Sequence, residues 1–295
     1  AEVESIQLGY LTYGLGVGSG VACCYVPMVA AVGGWFEARR TLALGLAVAG
    51  IGTGTLVMVP MVEWVIDNQG WRDAYRLLAI MTAVLLTVAA IGAHRPPTSA
   101  ASPVTIREAI RGRMDFWILY VSSILISITL FTPFVFLADY IDTVGGTGSA
   151  AVLLGLIGMS SIAGRLGFGA VAARIGITGL YQLSFLVLSL SVLLWIVADT
   201  SYSLLILFAV VLGVAYGGFI ALSPAVVAVR FGVVGMGGVL GALYTAAGVG
   251  GLVGPPTIGA IIDASGHTAA QITALVSGLL GTALLLTMRP PSTPV

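Results

Sequence analysis

The chain has 295 residues, 58% of them hydrophobic and only 8% charged, where a soluble domain carries about 25% charged residues. With 40 glycines added to the apolar set, too few polar side chains remain to solvate a surface, which excludes a soluble enzyme, a nucleic-acid binder, a disulfide-stapled secreted domain and a disordered chain. Twelve arginines, with no lysine, balance twelve acidic residues, so net charge names no partner and lipid is the solvent that this composition fits.

Cutting the sequence at its charges leaves nine apolar runs. The first, residues 5–36, follows Glu2 and Glu4 rather than a basic segment, so it reads as a membrane span and not as a signal peptide. It carries adjacent Cys23 and Cys24, expected to be two small buried apolar side chains. Runs at 41–62 and 77–93 follow, and then a connection from His94 to Asp115 that opens HRPPTSAASP, the composition of a linker. Thr105 and Glu108 have capping-box spacing, which predicts a short basic helix from Thr105 to Arg113 on the inner membrane surface. Six further runs come at 116–138, 143–164, 175–198, 200–229, 231–262 and 268–288. Most reach the ~20 residues that a helix needs to cross the hydrocarbon core, and backbone satisfaction in lipid leaves helices as the only reading. The expected fold is an all-α polytopic membrane protein of nine helices. Its parts are three helices over 1–93, a cytoplasmic linker over 94–114, six helices over 115–288 and a cytoplasmic tail over 289–295.

Alternate connections sort the arginines. Arg39, Arg40, Arg95, Arg107, Arg111, Arg113, Arg174, Arg230 and Arg289 share one side and Arg72 and Arg76 the other, so the positive-inside rule makes the nine-arginine side cytoplasmic. The N-terminus is then external and the C-terminus internal.

Residues 35–50 read WFEARRTLALGLAVAG. This string resembles the signature of the bacterial-type monocarboxylate transporter family of the major facilitator superfamily, through Trp35, Phe36, Arg39, Arg40, Leu42, Ala43, Gly45, Ala47, Ala49 and Gly50, with Ala38 where a Lys is usual. GWR at 70–72, FTPFVFLADY at 131–140, GRLGFG at 164–169, YGGFIALSPAVVAVRFG at 216–232 and GPPTIGAIIDASG at 254–266 extend the similarity in order. The resemblance implies a twelve-helix fold in which the first helix here is the family's fourth, so that three helices are expected to be missing. It also implies a secondary transporter of small monocarboxylates in the plasma membrane (the inner membrane of a bacterium), working by alternating access with protons as the coupled ion. An organic-anion exchanger of oxalate and formate type on the same fold, and a truncated or sensing membrane protein that binds an anion without moving it, also fit these residues.

Arg165 is the one charge that the composition leaves unexplained, since it follows an uncharged run of 22 residues and precedes Arg174 by nine. That places it about 14 Å from the inner rim of the hydrocarbon. One reading is a fixed cation that binds a carboxylate through its planar fork; the other is a snorkelling side chain that ties neighbouring carbonyls. The resemblance implies the first, since the family's eighth-helix Arg matches Arg165, and Ser161 stands where well-known members have a proton-exchanging Asp. Tyr25, Ser161, Tyr216 and Tyr244 are the polar candidates to join Arg165, with Phe131 as an apolar wall, though a Tyr in such helices serves equally as packing. Arg39 and Arg40 suit an anchor at a cytoplasmic turn. Gly45 and Gly50 suit close helix packing. Ala172 stands where the superfamily has an Asp ahead of the gating-loop Arg, here Arg174. No cofactor, metal or enzymatic nucleophile is expected, and His94 and His267, at connections on opposite sides, read as solvated. The expected partners are a small carboxylate, protons and the bilayer.

Overall fold

The computed structural model describes residues 3, 5–36, 39–94, 111, 114–144, 148–232 and 236–288. The predicted surface helix at 105–113 and the tail at 289–295 lie outside them. Helices α1 (Ile6–Trp35), α2 (Arg40–Gln69) and α3 (Trp71–Gly92) come first. Next are α4 (Met114–Thr143), α5 (Ala150–Ile175), α6 (Ile177–Ala198) and α7 (Tyr202–Phe231). A last helical stretch, Met236–Leu286, turns at Gly266, whose φ of 81° lies in the left-handed region that favours glycine. It divides there into α8 (236–265) and α9 (267–286). Nine apolar helices therefore stand among the described residues, with no strand.

The helices outrun several of the apolar runs that announced them. Helix α2 continues through Glu63 and Asp67 to Gln69, and α4 through Asp139 and Asp142 to Thr143. A charge stops the hydrophobic signal where the span meets water, but the amide ladder continues past that level. Helix α5 likewise runs unbroken through Arg165. Within α1, residues Tyr10–Val17 form a π-helix that periodicity did not announce. Cys23 and Cys24, expected to be buried, stand on an open face of α1.

Helix α7 lies at the centre, packed between α5 and α6, while α4 packs along α8 and α9. Aromatic groups fill the layers between them. Tyr181, Phe185 and Phe219 pack at centroid distances of 4.9–5.9 Å, and Trp195 stacks on Phe208 at 5.4 Å. Hydroxyls tie α4 to α9, with Thr129 Oγ1 donating to the Ala274 carbonyl at 2.7 Å and Ser277 Oγ to that of Leu125 at 2.9 Å. Bonds of this type contribute about 0.6 kcal/mol each in a membrane protein.

Polar contacts between helices close the two ends of this group. Arg230 at the end of α7 meets Asp115 at the start of α4 at 3.0 Å. At the opposite end His267 Nε2 lies 3.3 Å from Asp139, with its ring edge-on to Tyr140 at 5.5 Å. His267 is thus not a solvated side chain as expected, because the turn at Gly266 folds the start of α9 onto the end of α4.

Helix α2 runs antiparallel to α5 in one register, pairing Thr41 with Gly169, Gly45 with Arg165 and Gly52 with Gly158. Helix α1 meets α8 only toward the Trp35 end, where Val26 faces Gly241, Ala30 faces Gly237 and Gly33 faces Met236. Its other half, residues 6–24, is open, as is most of α3, where only Ala74 is buried.

Candidate functional site

Residues Gly158, Ser161 and Arg165 recur at three- and four-residue spacing, so they share one face of α5. Small residues let the neighbouring helices reach that face. A methyl group on Gly52 would lie 2.6 Å from Arg165 Nη1, and one on Gly45 would lie 2.8 Å from the Arg165 carbonyl oxygen. From the other side Gly217 of α7 rests against the Ser161 carbonyl, and a methyl on Gly213 would meet that of Ile157 at 2.5 Å. Arg165 is held between two helix backbones and is 0% exposed.

The guanidinium donates a hydrogen bond from Nη1 to Ser161 Oγ at 2.7 Å. Ser161 in turn donates to the Gly158 carbonyl at 2.6 Å, which fixes its oxygen to accept from Arg165. The ring of Tyr216 lies 5.2 Å from Cζ, within cation–π range. Phe134 packs edge-on to Tyr216 at 6.0 Å and holds the ring in place. Nε and Nη2 have no hydrogen-bond partner among the described residues. These two nitrogens lie on one edge of the planar group, and their parallel N–H bonds are the fork that matches a carboxylate.

Tyr25 and Tyr244 join across the α1–α8 seam. Their hydroxyls are 3.2 Å apart and their rings edge-on at 5.4 Å. Tyr25, Tyr244 and Tyr216 all pack against the same buried core. Behind Tyr244 a small cavity of about 10 Å³ is lined by the hydroxyl-bearing Ser123, Tyr181 and Ser223. We expect Tyr25→Phe and Tyr244→Phe each to cost about 1 kcal/mol of unfolding free energy, with a coupling of about 0.5–1.5 kcal/mol in the double-mutant cycle. Additive losses, measured by denaturation in mixed micelles, would show that the hydroxyl pair contributes nothing.

The remaining sequence candidates have separate places. Phe131 is half-buried and packs toward Gly251 of α8, 3.2 Å from a methyl built there. Trp35 Nε1 donates to the His94 carbonyl at 3.2 Å, tying the end of α1 to that of α3, while Phe36 is exposed. Arg40 Nε donates to the Gly33 carbonyl at 2.9 Å, so it satisfies the end of the preceding helix as its position suggested. Arg39 and Arg174 are exposed. Gly45 lies in the tight α2–α5 contact, whereas Gly50 faces open space. Sequence reasoning missed Gly52, Gly217 and Phe134. Gly217 stood in the quoted YGG string, but nothing in one sequence separates a glycine that admits a neighbouring helix from one that faces lipid.

Comparison with known proteins agrees with this architecture. The sequence profile described as Major Facilitator Superfamily matches residues 7–201. "MFS transporter asaE" of Aspergillus flavus is 30% identical over 287 residues, covering 95% of this chain and 64% of that protein. "Monocarboxylate transporter 13" of Rattus norvegicus is 31% identical over 293 residues, covering 95% and 67% respectively. "Monocarboxylate transporter 12" of Xenopus laevis is 29% identical over 310 aligned residues, covering 90% and 65%. The chain thus spans about two thirds of the length of these relatives or slightly less. With nine apolar helices, a matching profile over most of its length and this degree of identity, the chain belongs to the major facilitator superfamily and, within it, to the monocarboxylate-transporter-like family.

Proposed function

We propose that this multi-pass membrane protein carries small monocarboxylates by alternating access, with Arg165 as the carboxylate-binding residue. The family is one of transporters and not of enzymes. The observation that carries the reading is the open fork, a wholly buried guanidinium whose Nε and Nη2 are unpartnered among the described residues. A cation buried without a counter-charge is costly, and a bound carboxylate relieves that cost through two charge-assisted hydrogen bonds. Ser161 acts as a positioning residue that holds Nη1 and so orients the fork, while Tyr216 covers one face of the plane. The α1–α8 seam, in contact toward the Trp35 end and parted toward the Ile6 end, supports a conformation closed at one end. L-Lactate should raise the melting temperature of the purified protein saturably, and the uncharged isostere lactamide should not. Equal shifts with both, or none with lactate, would overturn the assignment.

We assign the Arg39, Arg174 and Arg230 end to the cytoplasm by the positive-inside rule. A single cysteine at residue 142 or 263 should react with an impermeant maleimide in intact cells, and one at 107 or 289 should not. Labelling of residue 107 from outside would reverse the orientation.

A further inference from the structure

We infer that the cavity behind Tyr244 is a binding site for one water molecule, caged by a hydroxyl from each of four helices, and that this water keeps Tyr244 hydrogen-bonded when α1 and α8 part. The cavity has a volume of about 10 Å³, which is the room that a single water needs. Its polar lining is Ser123 of α4, Tyr181 of α6, Ser223 of α7 and Tyr244 of α8. The other described residues that line it are apolar.

Helical spacing brings these groups together. Leu119 and Ser123 on α4, and Phe219, Ser223 and Val227 on α7, recur every four residues, so each helix turns one face to the cavity. A water donates two hydrogen bonds and accepts two, and each hydroxyl can take either part, so one hydroxyl per helix matches its full capacity. All four groups are neutral near pH 7. The cage therefore fits a neutral ligand, since an ion would lose its hydration there without gaining a counter-charge. Tyr181 is 2% exposed, whereas Ser123, Ser223 and Tyr244 are half-buried and give water its way in. Tyr244 also reaches across the seam, its hydroxyl 3.2 Å from that of Tyr25. A phenol that loses such a partner inside a membrane is destabilised unless another takes its place. The water supplies that partner, because it stays with α8 when α1 moves. The cage forms within α4, α6, α7 and α8 and is independent of what Arg165 binds.

Radiolysis by X-ray pulses tests this, because a buried side chain is oxidised only where a bound water is split into hydroxyl radicals beside it. The purified protein in micelles, pulsed and read by mass spectrometry, should show oxidation at Tyr181 and none at Phe208. Phe208 is 0% exposed and lies about 22 Å from Ser223 along α7. Ser223→Thr adds a methyl group, close to a water in size, so oxidation of Tyr181 should fall to the level of Phe208. Ser123→Thr fills the cavity from α4 with the same result, and serves if the first variant does not fold. Tyr25→Phe removes the bond across the seam and should leave the oxidation of Tyr181 unchanged. A Tyr181 no more oxidised than Phe208 in the parent protein would overturn the site. Oxidation that survives both threonine variants would put the water elsewhere and overturn it equally. Loss of oxidation in Tyr25→Phe would show that the water depends on the seam, and would overturn its role as the partner that remains.

Discussion

Replacing Arg165 by Gln should abolish carboxylate binding while leaving the helices assembled. Removing one partner of a buried hydrogen-bonded charge pair costs about 2–5 kcal/mol, a loss of roughly 30- to several thousand-fold in affinity. Arg165→Lys retains the charge but not the fork, and should lose about tenfold. The anion-free protein provides the control. Ser161 keeps its bond to the Gly158 carbonyl when the guanidinium is gone, and an unpaired buried cation is removed, so Arg165→Gln should melt at the same temperature as the parent or higher. A side chain that served as a structural tie would show the opposite pattern, with lowered stability and unchanged lactate binding.

A second large effect is expected at Gly217. A methyl group there would overlap the Ser161 carbonyl and come within 2.9 Å of the Arg165 amide nitrogen, both backbone atoms that cannot rotate away. Overpacking of this kind costs about 1–3 kcal/mol, and contact with backbone on both counts puts Gly217→Ala at the upper end. Displacing α7 from α5 also moves Tyr216 and Ser161, so lactate affinity should fall with stability. Gly50→Ala is the matched comparison, because nothing lies within 4 Å of the added carbon and helix propensity favours Ala by up to about 1 kcal/mol. Denaturation in mixed micelles should therefore separate the two glycines by about 3 kcal/mol or more. Equal stabilities would mean that the α5–α7 contact is looser than its geometry.

Those two glycines show where sequence reading stops. Composition and run length were enough for the class of protein and the nine spans, since lipid imposes one backbone solution and a fixed minimum length. Arg165 was legible for the same reason, as an expensive group in an otherwise uncharged segment. Arg40 was legible because a basic side chain after a helix end finds open carbonyls, and it bonds to that of Gly33. The partners of each helix were not legible. A span that is apolar on every side carries no stripe to mark its buried face, so Gly50 and Gly52 looked alike although only Gly52 touches the guanidinium. His267 was misread because its neighbour Asp139 lies on another helix, and only the turn at Gly266 brings them together. The roles of Tyr25 and Tyr244 depend on a seam between helices more than 200 residues apart in sequence.

The α2–α5 register, from Thr41 opposite Gly169 to Gly52 opposite Gly158, has a mechanical consequence. Backbone lies against backbone along this line with few side chains interposed, so the two helices meet as a pair of smooth rods. Pulling them apart loses contact along the whole line at once, whereas a small rotation about it loses little. In the alternating access proposed above, this line would be the axle of a tilt between α1–α3 and the other helices. Motion grows with distance from an axle, and α1 and α8 touch elsewhere through side-chain tips, a methionine methyl at Gly33 and the two phenol hydroxyls. A few degrees of turn at the glycines would become ångströms of opening there, with the guanidinium of Arg165 close to the axis and nearly stationary.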